Sequence, residues 1–284
     1  GTAGMHALAN LREDFQIIGF VDNDKAKHGS MWQNLPVFAP DVIVTHPVHQ
    51  VFIASEYFEQ IQQQLCLQLN VAPSVFQPLP ARLLASERFE HNPESIEMSL
   101  DLLATCCRTL TDLDVKHHID AGTLLGLYRD KSLIPWDDDM DIAVDSSGVN
   151  TVIQKVDEIR AALEEVSQQS WQSQIHFSQQ SFGAVPANAI RAIKFSCLSS
   201  SKLPAIDFFI KYVAGQHSDY CLASRGIRMP AQYSEDTQQY VCGERQWPVP
   251  AMVEEYLTHH YGDWQTPNPN WSLQDLNNTE VFEA

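Results

Sequence analysis

Near the start of the chain, the residues from Met5 to Arg12 predict a helix. The apolar run Ile17-Ile18-Gly19-Phe20-Val21 predicts a buried strand ending in the acidic turn Asp22-Asn23-Asp24. A turn-rich stretch around Gly29 leads into Leu35-Pro36-Val37. Val51-Phe52-Ile53-Ala54 then predicts another buried strand, followed by a helix from Tyr57 to Leu69. Apolar strands alternating with helices indicate a parallel α/β sheet. Pro73, Pro78 and Pro80 punctuate the next stretch, which reads as a linker. Asn92-Pro93 opens a helix, with Asn92 as cap and Pro93 at the first helical position. Leu100, Leu103, Ala104, Cys107 and Leu110 follow at helical spacing and give it an apolar face. The expected domains are residues 1–80 and 81–284.

Three later runs predict strands: Asp139-Met140-Asp141-Ile142-Ala143-Val144, Ala189 to Cys197, and Ala205-Ile206-Asp207-Phe208-Phe209-Ile210. Composition narrows the class. The 284 residues carry 18 Lys+Arg against 36 Asp+Glu, a net charge of −18, and 44% are hydrophobic, enough to bury a core rather than remain disordered. That balance excludes an overall basic footprint, so no nucleic-acid partner is expected. No run is long enough for a transmembrane segment. No secretory signal is read, so the expected location is the cytoplasm, with peripheral association at the inner membrane face left open. The six cysteines show no C-x-x-C spacing and read as reduced thiols, with zinc binding by a scattered subset open.

The opening Gly1-Thr2-Ala3-Gly4 and the later Asp22 stand where a phosphate-cradling turn and a ribose-binding acid would fall in a dinucleotide fold. Ala3 and His6 occupy the second and third glycine positions, and no strand precedes Gly1. The favoured reading is therefore a turn and a solvated loop in a Rossmann-like domain whose first strand is missing. Gly1-Thr2-Ala3-Gly4, Ile18-Gly19-Phe20-Val21-Asp22-Asn23-Asp24 and Leu35-Pro36-Val37 make residues 1–75 resemble the small first domain of PglD-type sugar acetyltransferases. That resemblance implies nucleotide-sugar binding.

The chemistry concentrates between His118 and Val144. On a strand, Asp139 and Asp141 project to one face. Paired carboxylates repel unless a cation neutralises them, and hard divalent ions prefer such oxygen ligands. Upstream, Gly122 lets backbone approach a ligand closely, and Thr123 offers a hydroxyl and an N–H at the start of a short helix, Leu124 to Tyr128. Arg129 and Lys131 add cationic groups in the same loop. Asp207 is a lone acid in an apolar strand, costly unless paired or metal-bound. Arg191 and Lys194 on the Ala189–Cys197 strand can reach a phosphate or form a salt bridge. His117 and His118, placed just before a strand, read as core or surface residues.

Gly122-Thr123 followed by Asp139-x-Asp141 resembles the nucleotidyltransferase-fold signature. The fuller string Asp120-Ala121-Gly122-Thr123-Leu124-Leu125-Gly126, Arg129 and Ile134-Pro135-Trp136-Asp137-Asp138-Asp139-x-Asp141 is similar to the LicD family, which includes fukutin and fukutin-related protein. Val249-Pro250, Tyr256-Leu257, Tyr261-Gly262-Asp263-Trp264 and Pro267 resemble its closing motif, read here as structural, so that the likeness spans residues 92–270. It implies an α+β nucleotidyltransferase-fold domain with a mixed sheet. It also implies transfer of a phosphorylated alcohol, such as phosphocholine or ribitol phosphate, from a CDP-linked alcohol donor to a glycan or lipid-linked glycan acceptor, releasing CMP. Asp139, Asp141 and Asp207 would hold one or two Mg2+ or Mn2+ ions. Gly122 and Thr123 would fix the phosphates, helped by Arg129 and Lys131, and Asp137 would take the acceptor proton. The alternatives are a nucleotidyltransferase moving NMP from an NTP, and a non-catalytic sugar-nucleotide binding module.

Overall fold

The short apolar runs near the start of the chain build small sheets rather than one large one. The structure, a computed structural model, describes residues 2–85, 87–200 and 202–282. It divides the chain into two units, residues 1–86 with 268–275 and 281–284, and residues 87–267 with 276–280.

In the first unit, helix α1 (Thr2–Asp14) starts before Met5 and takes in Ala3 and Gly4. The candidate phosphate turn is thus helical where it is described; Gly1 lies outside the described residues. A side chain at position 4 would meet only ordinary contacts, the nearest at 3.7 Å, so nothing there demands glycine. Strands β1 (Phe20–Val21), β2 (Met31–Trp32) and β3 (Leu35–Phe38) form a sheet with β3 central, parallel to β1 and antiparallel to β2. The strand expected over Ile17–Val21 keeps only its last two residues, and Ile18 is exposed. Gly19 has a clear reason: a Cβ there would lie 2.6 Å from the Pro36 carbonyl oxygen. In the acidic turn, Asp22 binds Lys27 at 2.8 Å and the Asp24 N–H at 2.9 Å.

Beyond α2 (Val42–Thr45), strand β4 (Val51–Ile53) leads through α3 (Phe58–Leu69) to β5 (Phe76–Pro78), which pairs with β4 in parallel. The proline-punctuated stretch read as a linker is therefore partly a strand. It remains compatible with its prolines because the strand is three residues long and Pro78 ends it. Val42, Ile43, Ile53, Phe58, Leu65 and Phe76 form the core beneath it. Parallel pairs occur as expected, but in separate small sheets. Residues 268–275 join this unit, with the Ala81 N–H donating to the Trp271 carbonyl at 3.0 Å.

The second unit begins with a 3-10 turn, Pro93–Ser95, and helix α4 (Ile96–Asp112). Asn92 does not cap it; its amide donates to Glu87 at 2.9 Å. Then come β6 (His117–Ile119), α5 (Ala121–Leu125) widening into a π turn at Gly126–Asp130, β7 (Asp139–Asp145), α6 (Val149–Gln154) and α7 (Val156–Ser167). Strands β8 (Trp171–Phe177), β9 (Ile190–Cys197), β10 (Ala205–Ala214), β11 (His217–Leu222) and β12 (Arg225–Pro230) follow, with a separate hairpin, β13 (Thr237–Cys242) and β14 (Arg245–Pro250). Helix α8 (Val253–Tyr261) and strand β15 (Thr279–Val281) complete the order. His117 and His118 lie within β6 rather than before it.

The main sheet runs β15-β12-β11-β10-β7-β6, and β9 also pairs with β10 and carries β8. β7 and β10 are parallel, while β6–β7, β9–β10, β10–β11, β11–β12 and β8–β9 are antiparallel, so the sheet is mixed. Strict alternation decides its faces. Met140, Ile142 and Val144 on β7, with Ile206, Phe208 and Ile210 on β10, are fully buried in one cluster with Leu102, Leu103 and Leu110 of α4 and Ile159 and Leu163 of α7. The intervening residues, Asp139, Asp141 and Asp207 among them, take the opposite face. No described helix is long and apolar enough to cross a membrane.

Phe208 is fully buried and its ring lies 5.1 Å from that of Phe195. Phe208→Ala is expected to cost about 3–5 kcal/mol in denaturant unfolding. Val213→Ala, on an exposed position of the same strand, should stay within about 0.5 kcal/mol.

Candidate active site

Backbone pairing sets the acids side by side. The parallel register of β7 and β10 puts Asp207 opposite Asp141. Ligand oxygens of Asp139, Asp141 and Asp207 all lie within 4.8 Å of one another, as do those of Asp137, Asp138 and Asp139, so Asp139 belongs to both trios. Asp141 and Asp207 are buried and Asp139 is half-buried.

The start of α5 is fastened to this strand. The Asp120 N–H donates to the Asp141 carbonyl at 2.9 Å, and the Asp141 N–H donates to Thr123 Oγ1 at 2.8 Å. Thr123 is buried, and its hydroxyl oxygen accepts this bond from the strand. Ala121 turns the chain from β6 into α5 with φ at 44°, a left-handed conformation uncommon without glycine. At Gly122 a Cβ would sit 2.2 Å from Asp137 Oδ2, so glycine is what lets the Asp137 carboxylate lie against the helix start.

Electrostatics at the cluster call for a cation. Burial first, and then the neighbouring carboxylates, push Asp139 and Asp141 well above the ordinary carboxylate range. Burial and Asp138 raise Asp137 to about 7. One compensating cation is Lys194 on β9, whose Nζ lies 2.6 Å from Asp207 Oδ2. Against the effect of burial, Asp207 and Asp139 raise Lys194 above its usual value. An all-oxygen donor set of crowded, largely buried carboxylates with too little countercharge suits a hard divalent ion, and Mg2+ or Mn2+ fits it.

The other two expected cations are engaged elsewhere. Arg129 makes a two-pronged pair with Asp130, at 2.8 and 2.7 Å, and donates to the Trp264 carbonyl. Lys131 donates to the Tyr128 carbonyl at 2.7 Å and to the Tyr240 hydroxyl. They tie the π turn to the closing aromatic turn and to β13.

Behind the acids lies a buried polar layer. Tyr256 of α8 donates to Asp120 Oδ1 at 2.6 Å, and Lys211 Nζ lies 2.6 Å from Asp120 Oδ2, an ion contact whose angles fall short of hydrogen-bond alignment. Burial opposes charge on Asp120, yet Lys211 holds its carboxyl far below the usual range. The Lys211 ammonium also sits over the Tyr220 ring. Lys211 was missed from the sequence, although its place on the Asp207 strand, an even number of residues on, gives it the same face. Tyr256, read as part of a structural closing motif, is the residue that reaches Asp120.

Residues 114–252 match the family model LicD/FKTN/FKRP, nucleotidyltransferase domain. This LicD match covers α5, the acids on β7 and β10, and Lys194. It is narrower than the span of resemblance over residues 92–270, stopping short of α8. No curated protein matches the chain. A LicD domain implies a transferase, and the PglD-type likeness of the first unit rests on sequence motifs alone.

His118 is buried, its Nδ1 2.9 Å from the Ile119 carbonyl, and His260 is buried on α8. Burial foremost holds both down at about 4, so each is neutral in the folded protein. The unfolded chain takes up protons near 6.5, and the folded one does not until about 4. Stability present above pH 6.5 is therefore lost as pH falls towards 4, by about 1.4 kcal/mol per pH unit for each histidine. In urea titrations across this window, His118→Gln is expected to remove one such contribution and flatten the pH profile by that amount.

Proposed function

We propose that the chain is a metal-dependent phosphotransferase that moves a phosphorylated alcohol from a CDP-linked donor to a hydroxyl of a glycan or lipid-linked glycan, with release of CMP. The observation that carries this reading is the trio Asp139, Asp141 and Asp207, held on adjacent strands beside a glycine-opened helix start within the LicD-matched segment. These carboxylates would hold Mg2+ or Mn2+, which would supply charge stabilisation to the diphosphate and the leaving CMP.

The protein's own groups do the remaining work. Gly122, which bears no side chain, gives the Asp137 carboxylate room against the helix start, where the family resemblance would have Gly122 and Thr123 fix the donor phosphates. Thr123 holds α5 to β7 and sets where that backbone points. Asp137, raised to about 7, is matched to accept the proton of an acceptor hydroxyl near neutral pH.

Nucleotide release from a panel of CDP-alcohols, with a crude glycan extract as acceptor, tests the reading. Metal-dependent CMP release is expected, and Asp139→Asn should reduce it about a hundred- to a thousand-fold, the scale on which transition-state charge stabilisation is lost. Gly122→Ala, which crowds Asp137, should lose about a hundred-fold. Pyrophosphate release from an NTP instead would identify a nucleotidyltransferase. No release of either, with a thermal shift from nucleotide, would leave a binding module.

A further inference from the structure

Asp141, Asp207 and Lys194 stand in one row across three neighbouring strands, because Asp207 pairs with Asp141 on one side and with Lys194 on the other. Of the three clustered carboxylates, Asp207 has an oxygen occupied by this ammonium at 2.6 Å. The pair is asymmetric. The Asp207 side chain is 10% exposed on a central strand, whereas that of Lys194 is 35% exposed and rides on a flexible four-carbon stem. Whatever enters the cluster, the acid stays and the lysine can leave.

A divalent ion on Asp207 and an ammonium on the same carboxylate repel each other. Metal binding therefore displaces Lys194 or is weakened by it. A displaced Lys194 at the rim of the cluster needs another anion, and the phosphates of a donor held by the same metal would be that anion. We infer that Lys194 is a built-in cation that competes with the metal for Asp207 and passes to the donor's diphosphate when both are bound, so that metal and nucleotide bind cooperatively. This rests on the metal-dependent reading above. By linkage, whatever the nucleotide adds to metal affinity the metal adds to nucleotide affinity.

The test is Mn2+ binding to the full chain, read from the free-ion electron paramagnetic resonance signal, with and without saturating CDP and corrected for Mn2+ held by CDP in buffer. In the wild type, CDP is expected to tighten Mn2+ by about ten-fold or more. Lys194→Met should bind Mn2+ alone about ten-fold more tightly than wild type, with CDP adding little further. Lys194→Gln should behave like Lys194→Met, guarding against a defect peculiar to one replacement, and Lys194→Arg should retain the coupling. Thermal unfolding confirms that each variant is folded. If Lys194→Met binds Mn2+ alone no more tightly than wild type, or if CDP tightens both proteins equally, Lys194 is a fixed counter-ion and the inference fails. If wild type binds CDP but no Mn2+ under either condition, the metal-dependent reading fails and takes this inference with it.

Discussion

The parallel pairing of β7 with β10 forces like charges together: its register places Asp207 opposite Asp141, with Asp139 two residues away on the same face. Left to themselves these carboxylates would separate. The other face of the same strands prevents it. Met140, Ile142, Val144, Ile206, Phe208 and Ile210 are all fully buried there, each contributing about 1.5–3 kcal/mol. A slip of one residue would expose that row and drive the aspartates into the helix-covered core. Hydrophobic burial on one side thus holds electrostatic repulsion in place on the other, and the repulsion is what makes the cluster receptive to a cation.

The two lysines on this face answer that repulsion differently. Lys211 is buried against Asp120 and the Tyr220 ring, with side-chain exposures of 7% and 2% across the ion contact, so it is part of the packing. Lys194 answers Asp207 from the edge of the cluster and reaches solvent. A buried pair is expensive to separate, because each partner would be left as an uncompensated charge. A partly exposed lysine can exchange its acid for water or for another anion at much lower cost. The buried charge balance therefore lies behind the acids and the partly exposed one beside them.

Much of this site could be read along the chain, because it depends on short-range pattern. Alternation from Asp139 to Val144 put its two acids on one face, and Asp207 stood out as a charge in an apolar run. What depended on pairing between distant strands could not be read. Lys194 and Asp207 meet only because β9 lies beside β10, and Arg129 and Lys131 were drawn to nearby partners that sequence proximity to the aspartates concealed. The histidines gave no pattern to separate a neutral core group from a base. In the first unit, Val51–Ala54 marked a strand, whereas only the last two residues of the Ile17–Val21 run became one. The shortness of the strands, two to four residues in β1 to β5, left the pairing to turns and local closures, and it is there that the single parallel sheet gave way to smaller ones. The strand within the proline-rich stretch and the return of residues 268–275 carried no periodic signal at all.

The physical unit of the site is larger than the segment that matches the LicD model. Residues 114–252 contain the acids, the helix start and Lys194, but neither layer that holds them in place. Helix α4, before that segment, supplies Leu102, Leu103 and Leu110 to the apolar face of the sheet. Helix α8, after it, brings Tyr256 to Asp120 and buries His260 behind the cluster. Without α8 the Asp120–Lys211 contact would be open to water, which would weaken the field that Lys211 exerts on the acids in front of it. A site built on repelling carboxylates needs a dry polar backing as much as an apolar core. In this chain, the backing comes from a helix whose sequence shows none of the chemistry it supports.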